Sequence, residues 1–181
     1  MILKAAQFAD ACHRGQFRKY TGVAYIHHPS RVAARTMMLP DVPEYAVAAA
    51  WLHDVLEDCD VTMAQLDAEF GKAVTVLVLE LTNPSKGLDI SRADRKQMDR
   101  DHLRRVSYWA KVIKALDRID NLREMEDAPA DFKRLYGRES VLLGDVLLAG
   151  YSHDNLLRDL VSELYSLAIT LRDTPHENLQ P

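Results

Sequence analysis

The chain has 181 residues, 48% of them hydrophobic and 28% charged, with a formal net charge of −4. That length fits one domain with its own core, and the composition excludes global disorder. The charge balance excludes a strongly basic nucleic-acid binder, so any anion must be met by a local site.

Ile2, Leu3, Ala6, Phe8, Ala9 and Cys12 recur at helical spacing and predict an amphipathic helix ending near Gly15. Lys4 and Asp10 interrupt this segment, so it does not read as a secretory signal. The longest apolar runs, Ala46–Leu52 and Ala73–Leu79, fall far short of the roughly 20 residues that span a bilayer. A cytoplasmic location with no membrane partner is the expectation. Cys12 and Cys59 form no CxxC pair and are expected to be reduced, buried thiols.

Further on, Gly22 and Pro29 bracket Tyr25-Ile26-His27-His28, and a helical pattern resumes from Ser30 to Met38. Pro43 suits the first turn of a third helix, where its missing N–H costs nothing. That helix is expected to run through Val47, Ala50, Trp51 and Leu52 and to carry His53, Asp54, Glu57 and Asp58. Thr62 and Gln65 form a capping box for a short helix ending at Phe70-Gly71. Lys72 to Leu81 reads as a buried helix despite its Val-rich centre, and Asn83-Pro84-Ser85-Lys86-Gly87 as a loop. Arg92 to Arg105 is highly charged, Tyr108 to Met125 is periodic, and two more helices are expected around Ser140–Ala149 and Asn155–Leu171. Thr174 to Pro181 reads as a frayed tail. The expectation is one all-α helical bundle over residues 1–173.

His28, the adjacent pair His53-Asp54, and Asp117 are four side chains of suitable type for one metal ion. Two imidazoles and two carboxylates suit Mn²⁺, Fe²⁺ or Zn²⁺ better than a thiolate-loving metal. An adjacent His-Asp pair also fits a capped helix end with solvated side chains. Here, however, it closes an Ala-rich helix expected to be buried, where carboxylates need a partner or a metal to offset desolvation. Glu57 and Asp58 follow one turn later on the same side. Acidic groups near a helix C-terminus oppose the macrodipole, a local cost that a site would explain. Asp117, Asn121 and Glu124 form one polar stripe on a helix whose other face, Val112, Ile113, Leu116 and Ile119, is apolar. An ordinary amphipathic helix with a wet face reads the same way.

Arg18-Lys19-Tyr20-Thr21-Gly22, Tyr25-Ile26-His27-His28-Pro29, Ala50-Trp51-Leu52-His53-Asp54-Val55-Leu56-Glu57-Asp58 and Lys114-Ala115-Leu116-Asp117-Arg118-Ile119-Asp120-Asn121-Leu122-Arg123 resemble, in order and spacing, the hydrolase-domain motifs of the RelA/SpoT homologue family. The resemblance runs from about residue 2 to about residue 171 and leaves no chain for that family's synthetase domain. It implies an HD-domain helical bundle with the metal site between central helices, acting as a small alarmone hydrolase. It places Mn²⁺ on His28, His53, Asp54 and Asp117, gives Glu57 and Asp58 the activation of water, and gives Arg18, Asn121 and, less directly, Lys19 contacts to a guanine nucleotide of the ppGpp type. Two positions depart from the pattern: Ala24 stands where a proline is common, and Glu124 where a threonine often stands.

Competing readings are another HD phosphohydrolase, acting on a nucleoside monophosphate or the 2′-phosphate of NADPH, and a metal-bearing sensor without turnover. A nucleic-acid partner is suggested by Arg92, Arg95, Lys96, Arg100, Arg104 and Arg105. Asp94, Asp99 and Asp101 interrupt that charge, which favours a solvated helix with salt bridges.

Overall fold

In the computed structural model, residues 1–175 are described and form ten helices, with no strand among them beyond an isolated bridge between Phe17 and Ala24. Residues 176–181 of the expected tail lie outside the described residues. The carbonyls of Thr174 and Pro175, after the last helix, accept hydrogen bonds from Arg134 at 3.2 and 3.0 Å.

The helices are α1 (Ile2–Cys12), α2 (His27–Met37), α3 (Glu44–Leu52), α4 (Val55–Asp58), α5 (Met63–Phe70), α6 (Lys72–Leu81), α7 (Arg92–Leu103), α8 (Tyr108–Arg123), α9 (Ala130–Leu148) and α10 (Asn155–Arg172). Their buried apolar residues form one cluster reaching from Ala5 to Ala168. None of the helices is long and apolar enough to cross a membrane.

Two helices occupy the centre for different reasons. α3 buries Ala46, Val47, Ala48, Ala49, Ala50 and Leu52, so it is apolar nearly all round and packs against α1, α2 and α6. The small side chains let three neighbours approach it. α8 keeps a clear periodicity: Val112, Ile113, Leu116 and Ile119 face the core, while Asp117 and Asp120 are buried from the polar face. α2, α6, α9 and α10 pack around it. At the far end, α9 and α10 run antiparallel in close contact. A Cβ at Gly137 would stand 2.5 Å from the Ala168 carbonyl, and one at Gly144 would stand 2.4 Å from the Tyr165 ring.

Element boundaries differ from expectation in four places. α2 starts at His27 rather than Ser30. Pro43 is the extended residue before α3 and not in its first turn. The third helix does not continue through the His-Asp pair: it stops at Leu52, and α4 begins at Val55. Last, α9 begins ten residues earlier than the apolar pattern suggested, after Pro129. The Thr62–Gln65 capping box is present, with both reciprocal hydrogen bonds formed.

Candidate metal centre and nucleotide cleft

The break after α3 shapes the site. Consecutive residues on an unbroken helix point about 100° apart. Asp54 instead adopts φ −102°, ψ −5°, which turns the chain and lets both His53 and Asp54 face inward. His53 Nδ1 hydrogen-bonds the Ala50 carbonyl at 2.8 Å, which leaves Nε2 directed at the cluster. His28, at the start of α2, brings its Nε2 to 3.2 Å from that of His53 and 3.2 Å from Asp117 Oδ1. Donor atoms of His28, His53 and Asp117 all lie within 4.8 Å of one another. Asp54 Oδ2 adjoins them, 3.1 Å from His53 Nε2 and 3.6 Å from His28 Nε2.

All four sequence-identified ligands therefore meet, and both histidines are 1% exposed. Two imidazole nitrogens facing each other between carboxylates repel unless a cation lies between them, a need that a proton or a divalent metal meets. Burial opposes charge on His28, yet Asp117 and Asp120 hold its pKa up at about 9. Burial would raise the Asp54 carboxyl, but His53 and His28 hold it below the usual carboxylate range. The N/O donor set fits a borderline divalent cation.

Each of these four side chains is held from behind. His28 Nδ1 pairs with Asp120 Oδ2 at 2.7 Å, and Arg31, one turn along α2, clamps Asp120 through two hydrogen bonds of 2.7 and 2.9 Å. A carboxylate behind a histidine fixes its tautomer and raises its basicity. Tyr25 donates to Asp54 Oδ2 at 2.7 Å and lies 3.3 Å from Asp58 Oδ2. Lys114 Nζ pairs with Asp117 Oδ2 at 2.9 Å, and Asn121 donates to Asp117 Oδ1 at 2.5 Å.

Glu57 and Asp58 stand on α4 at the edge of the cluster. Glu57 Oε1 accepts from the Asn83 backbone N–H at 2.6 Å, and Oε2 from the Asn83 side chain at 3.2 Å. Burial pushes the Glu57 carboxyl above its ordinary value, with Lys114 and the Asn83 N–H acting against it. Asp58 is more exposed and pairs with Lys86 Nζ at 2.6 Å.

Arg18 comes from the loop before α2. Gly22, at φ +68°, lets this segment fold back so that its N–H reaches the Arg18 carbonyl at 3.0 Å. The Arg18 guanidinium lies over Tyr25, donates to Asn121 Oδ1 at 2.5 Å and pairs with Glu124 Oε2 at 2.6 Å. Glu124 also pairs with Arg31. The departure at 124 is thus a bridge between the loop arginine and the arginine behind the histidine. Arg18, Tyr20, Thr21, Tyr25, Glu124 and the exposed Lys19 border a recess of about 220 Å³. Asn121 joins this recess to the candidate metal ligands through Asp117.

Sequence reasoning gave no role to Tyr25, Arg31, Lys86, Lys114 or Asp120. Arg31 and Asp120 each lie three residues past a ligand, on the same helix face, which was a usable signal. Lys86 gave none, because it reaches Asp58 from a loop.

A helical bundle that converges two histidines and two carboxylates at its centre has the arrangement of the HD class of hydrolase domains. The HD domain family matches residues 5–143. The human guanosine-3′,5′-bis(diphosphate) 3′-pyrophosphohydrolase MESH1 is 35% identical over 126 residues, 68% of this chain and 69% of that protein. A Vibrio cholerae guanosine-3′,5′-bis(diphosphate) 3′-pyrophosphohydrolase is 36% identical over 139 residues, 74% of this chain but 19% of that longer one. Among solved structures, a metazoan ortholog of SpoT that hydrolyzes ppGpp aligns with a TM-score of 0.73 at 26% identity, covering 91% of this chain and 93% of that one. The chain belongs to the HD domain family, in the group of RelA/SpoT homologues that includes MESH1.

Proposed function

We propose that the protein hydrolyses (p)ppGpp at the ribose 3′ position, releasing pyrophosphate and GDP or GTP, through one domain over residues 1–173 acting in the cytoplasm. The observation that carries this reading is the convergence of His28, His53, Asp54 and Asp117 with Glu57 and Asp58 one turn away. The names of the relatives supply the substrate. The four inner residues would hold a divalent ion, Mn²⁺ in our assignment. When bound, the ion supplies Lewis acidity toward the reacting phosphoryl group and water.

The protein's own groups do the rest. Glu57, with its pKa raised by burial, accepts the proton of the attacking water, and Asp58 orients that water. The water oxygen bonds to the phosphorus that carries the ribose 3′ oxygen. The bond from that phosphorus to the 3′ oxygen breaks, the 3′ oxygen gains a proton, and pyrophosphate departs. Arg18 and Asn121 hold the nucleotide, and Lys19 approaches its phosphates from the rim.

The test is incubation of chelator-treated protein with ppGpp, with and without Mn²⁺, and identification of products. Metal-restored release of pyrophosphate and GDP is expected. Orthophosphate from NADPH or a nucleoside monophosphate, with ppGpp untouched, would overturn the reading in favour of another HD phosphohydrolase. Metal binding without turnover of any of these would leave a sensor.

A further inference from the structure

The cleft continues beyond the acidic pair. Past Glu57 it opens into a cavity of about 510 Å³ whose walls include Asn83, Lys86, Arg95, Lys96 and Asp99. A smaller recess shares Asn83, Lys96 and Asp99 with it and reaches Lys114, Arg118 and Glu139.

The charges around this recess are unevenly paired. Glu139 is taken by Arg92 through hydrogen bonds of 2.8 and 2.9 Å. Lys114 is taken by Asp117, and Lys86 by Asp58. Lys96 and Arg118 remain, with Asp99, which is 5% exposed, lining the same recess, and Arg95 and Asp89 line the larger cavity. Lys96 Nζ is 3.4 Å from Asp99 Oδ2, long for an ion pair. The Arg118 guanidinium lies over the Tyr136 ring at 4.4 Å and reaches Ser140 Oγ only at 3.3 Å. Its buried Nε has no hydrogen-bond partner among the described residues. Arg95 donates to the Ile90 carbonyl and to no carboxylate among the described residues. Burial and the facing Arg118 push the Lys96 ammonium below its ordinary value. A buried donor without an acceptor carries a free-energy cost that an anion would relieve.

We propose that Lys96 and Arg95, which line the cavity past Glu57 with Arg118 in the recess behind Lys96, form a diphosphate subsite that receives the 3′-diphosphate of the substrate and holds it as pyrophosphate after cleavage. The identity of that diphosphate rests on the function proposed above. Asp117 sets the two sides of the reaction. Its Oδ1 takes Asn121, next to the recess of Arg18, while its Oδ2 takes Lys114, next to Arg118. The nucleoside then lies on the Arg18 side and the departing diphosphate on the Lys96 side, with Glu57 lining the cavity that leads to it.

The test is calorimetric titration of inorganic pyrophosphate, and separately of GDP, into metal-loaded protein at fixed free metal concentration. Lys96→Met keeps the aliphatic stem at a partly exposed position, and Lys96→Arg restores the charge. Loss of one charge-assisted contact is expected to weaken pyrophosphate about tenfold in Lys96→Met and leave GDP within about twofold, with Lys96→Arg restoring most of the loss. Unchanged pyrophosphate affinity in Lys96→Met would overturn the subsite, as would equal weakening of GDP, which would place the nucleotide's own 5′-diphosphate there. Turnover of ppGpp is measured alongside. Lys96-dependent pyrophosphate binding without ppGpp turnover would remove the proposed substrate and keep the subsite. Turnover with Lys96-independent pyrophosphate binding would do the reverse.

Discussion

Asp54 and Asp117 sit among histidines, with side chains 15% and 7% exposed, whereas Asp58, one turn past Asp54, is 33% exposed and meets a loop lysine. The inner carboxylates are held by Tyr25, Asn121 and Lys114, and their pKa values are driven down. Glu57, by contrast, is driven up by its surroundings. The short stretch from Asp54 to Glu57 thus supplies both an ionised group suited to a cation and a carboxyl suited to exchanging a proton. The difference arises from surroundings: imidazoles and an ammonium hold the inner carboxylates down, whereas burial raises Glu57 against the opposing pull of Lys114 and the Asn83 amides.

The sharpest way to break this contrast is to remove an inner donor. His53→Ala should lose metal and activity together and melt at a lower temperature than the metal-loaded parent, since bound metal favours the folded state. Metal analysis and a thermal melt check this. Retention of stoichiometric metal would reassign the ligand. Glu57→Gln should keep metal and fold while the single-turnover rate falls roughly 10²–10⁴-fold, the usual worth of general acid–base catalysis. A rate near that of the parent would take the base role from Glu57.

Asp120→Asn tests the layer behind the ligands. It should weaken metal affinity by about 10–100-fold while saturating metal restores most of the rate. Glu124→Gln cuts the bridge between Arg18 and Arg31, so KM should rise by about tenfold with kcat little changed and metal content unaltered. A fall in kcat alone would show that this bridge serves the chemistry instead.

The smallest effect is in the pH profile. Because Glu57 must be ionised to accept a proton and burial raises its pKa above 4.5, the rate should decline as pH falls through that raised value. The limb should be absent from the residual rate of Glu57→Gln.

Legibility of the sequence tracked how local each cause was. α8 announces its polar stripe because its core face and site face repeat at helical spacing on one unbroken segment. The capping box at Thr62 is equally local. The His-Asp pair announced its residues but not its backbone, because an alanine-rich run gives no sign that the helix stops at Leu52. The first half of α9 was missed because Asp131, Lys133, Arg134, Arg138 and Glu139 look like solvated chain. Its support is tertiary: Glu139 on Arg92, Tyr136 under Arg118, and Gly137 against α10. The four expected ligands meet in space. Lys86 and Tyr25 gained roles only when distant segments came together.

The interruption between α3 and α4 also bears on how fast a cation can leave. Two of the four proposed inner donors come from neighbouring residues at a single kink, so they would chelate an ion through one joint between two helices. Opening that joint would release half the coordination at once while His28 and Asp117 stayed fixed on α2 and α8. Metal exchange should therefore follow local opening around residues 53–54, on a timescale much shorter than global unfolding.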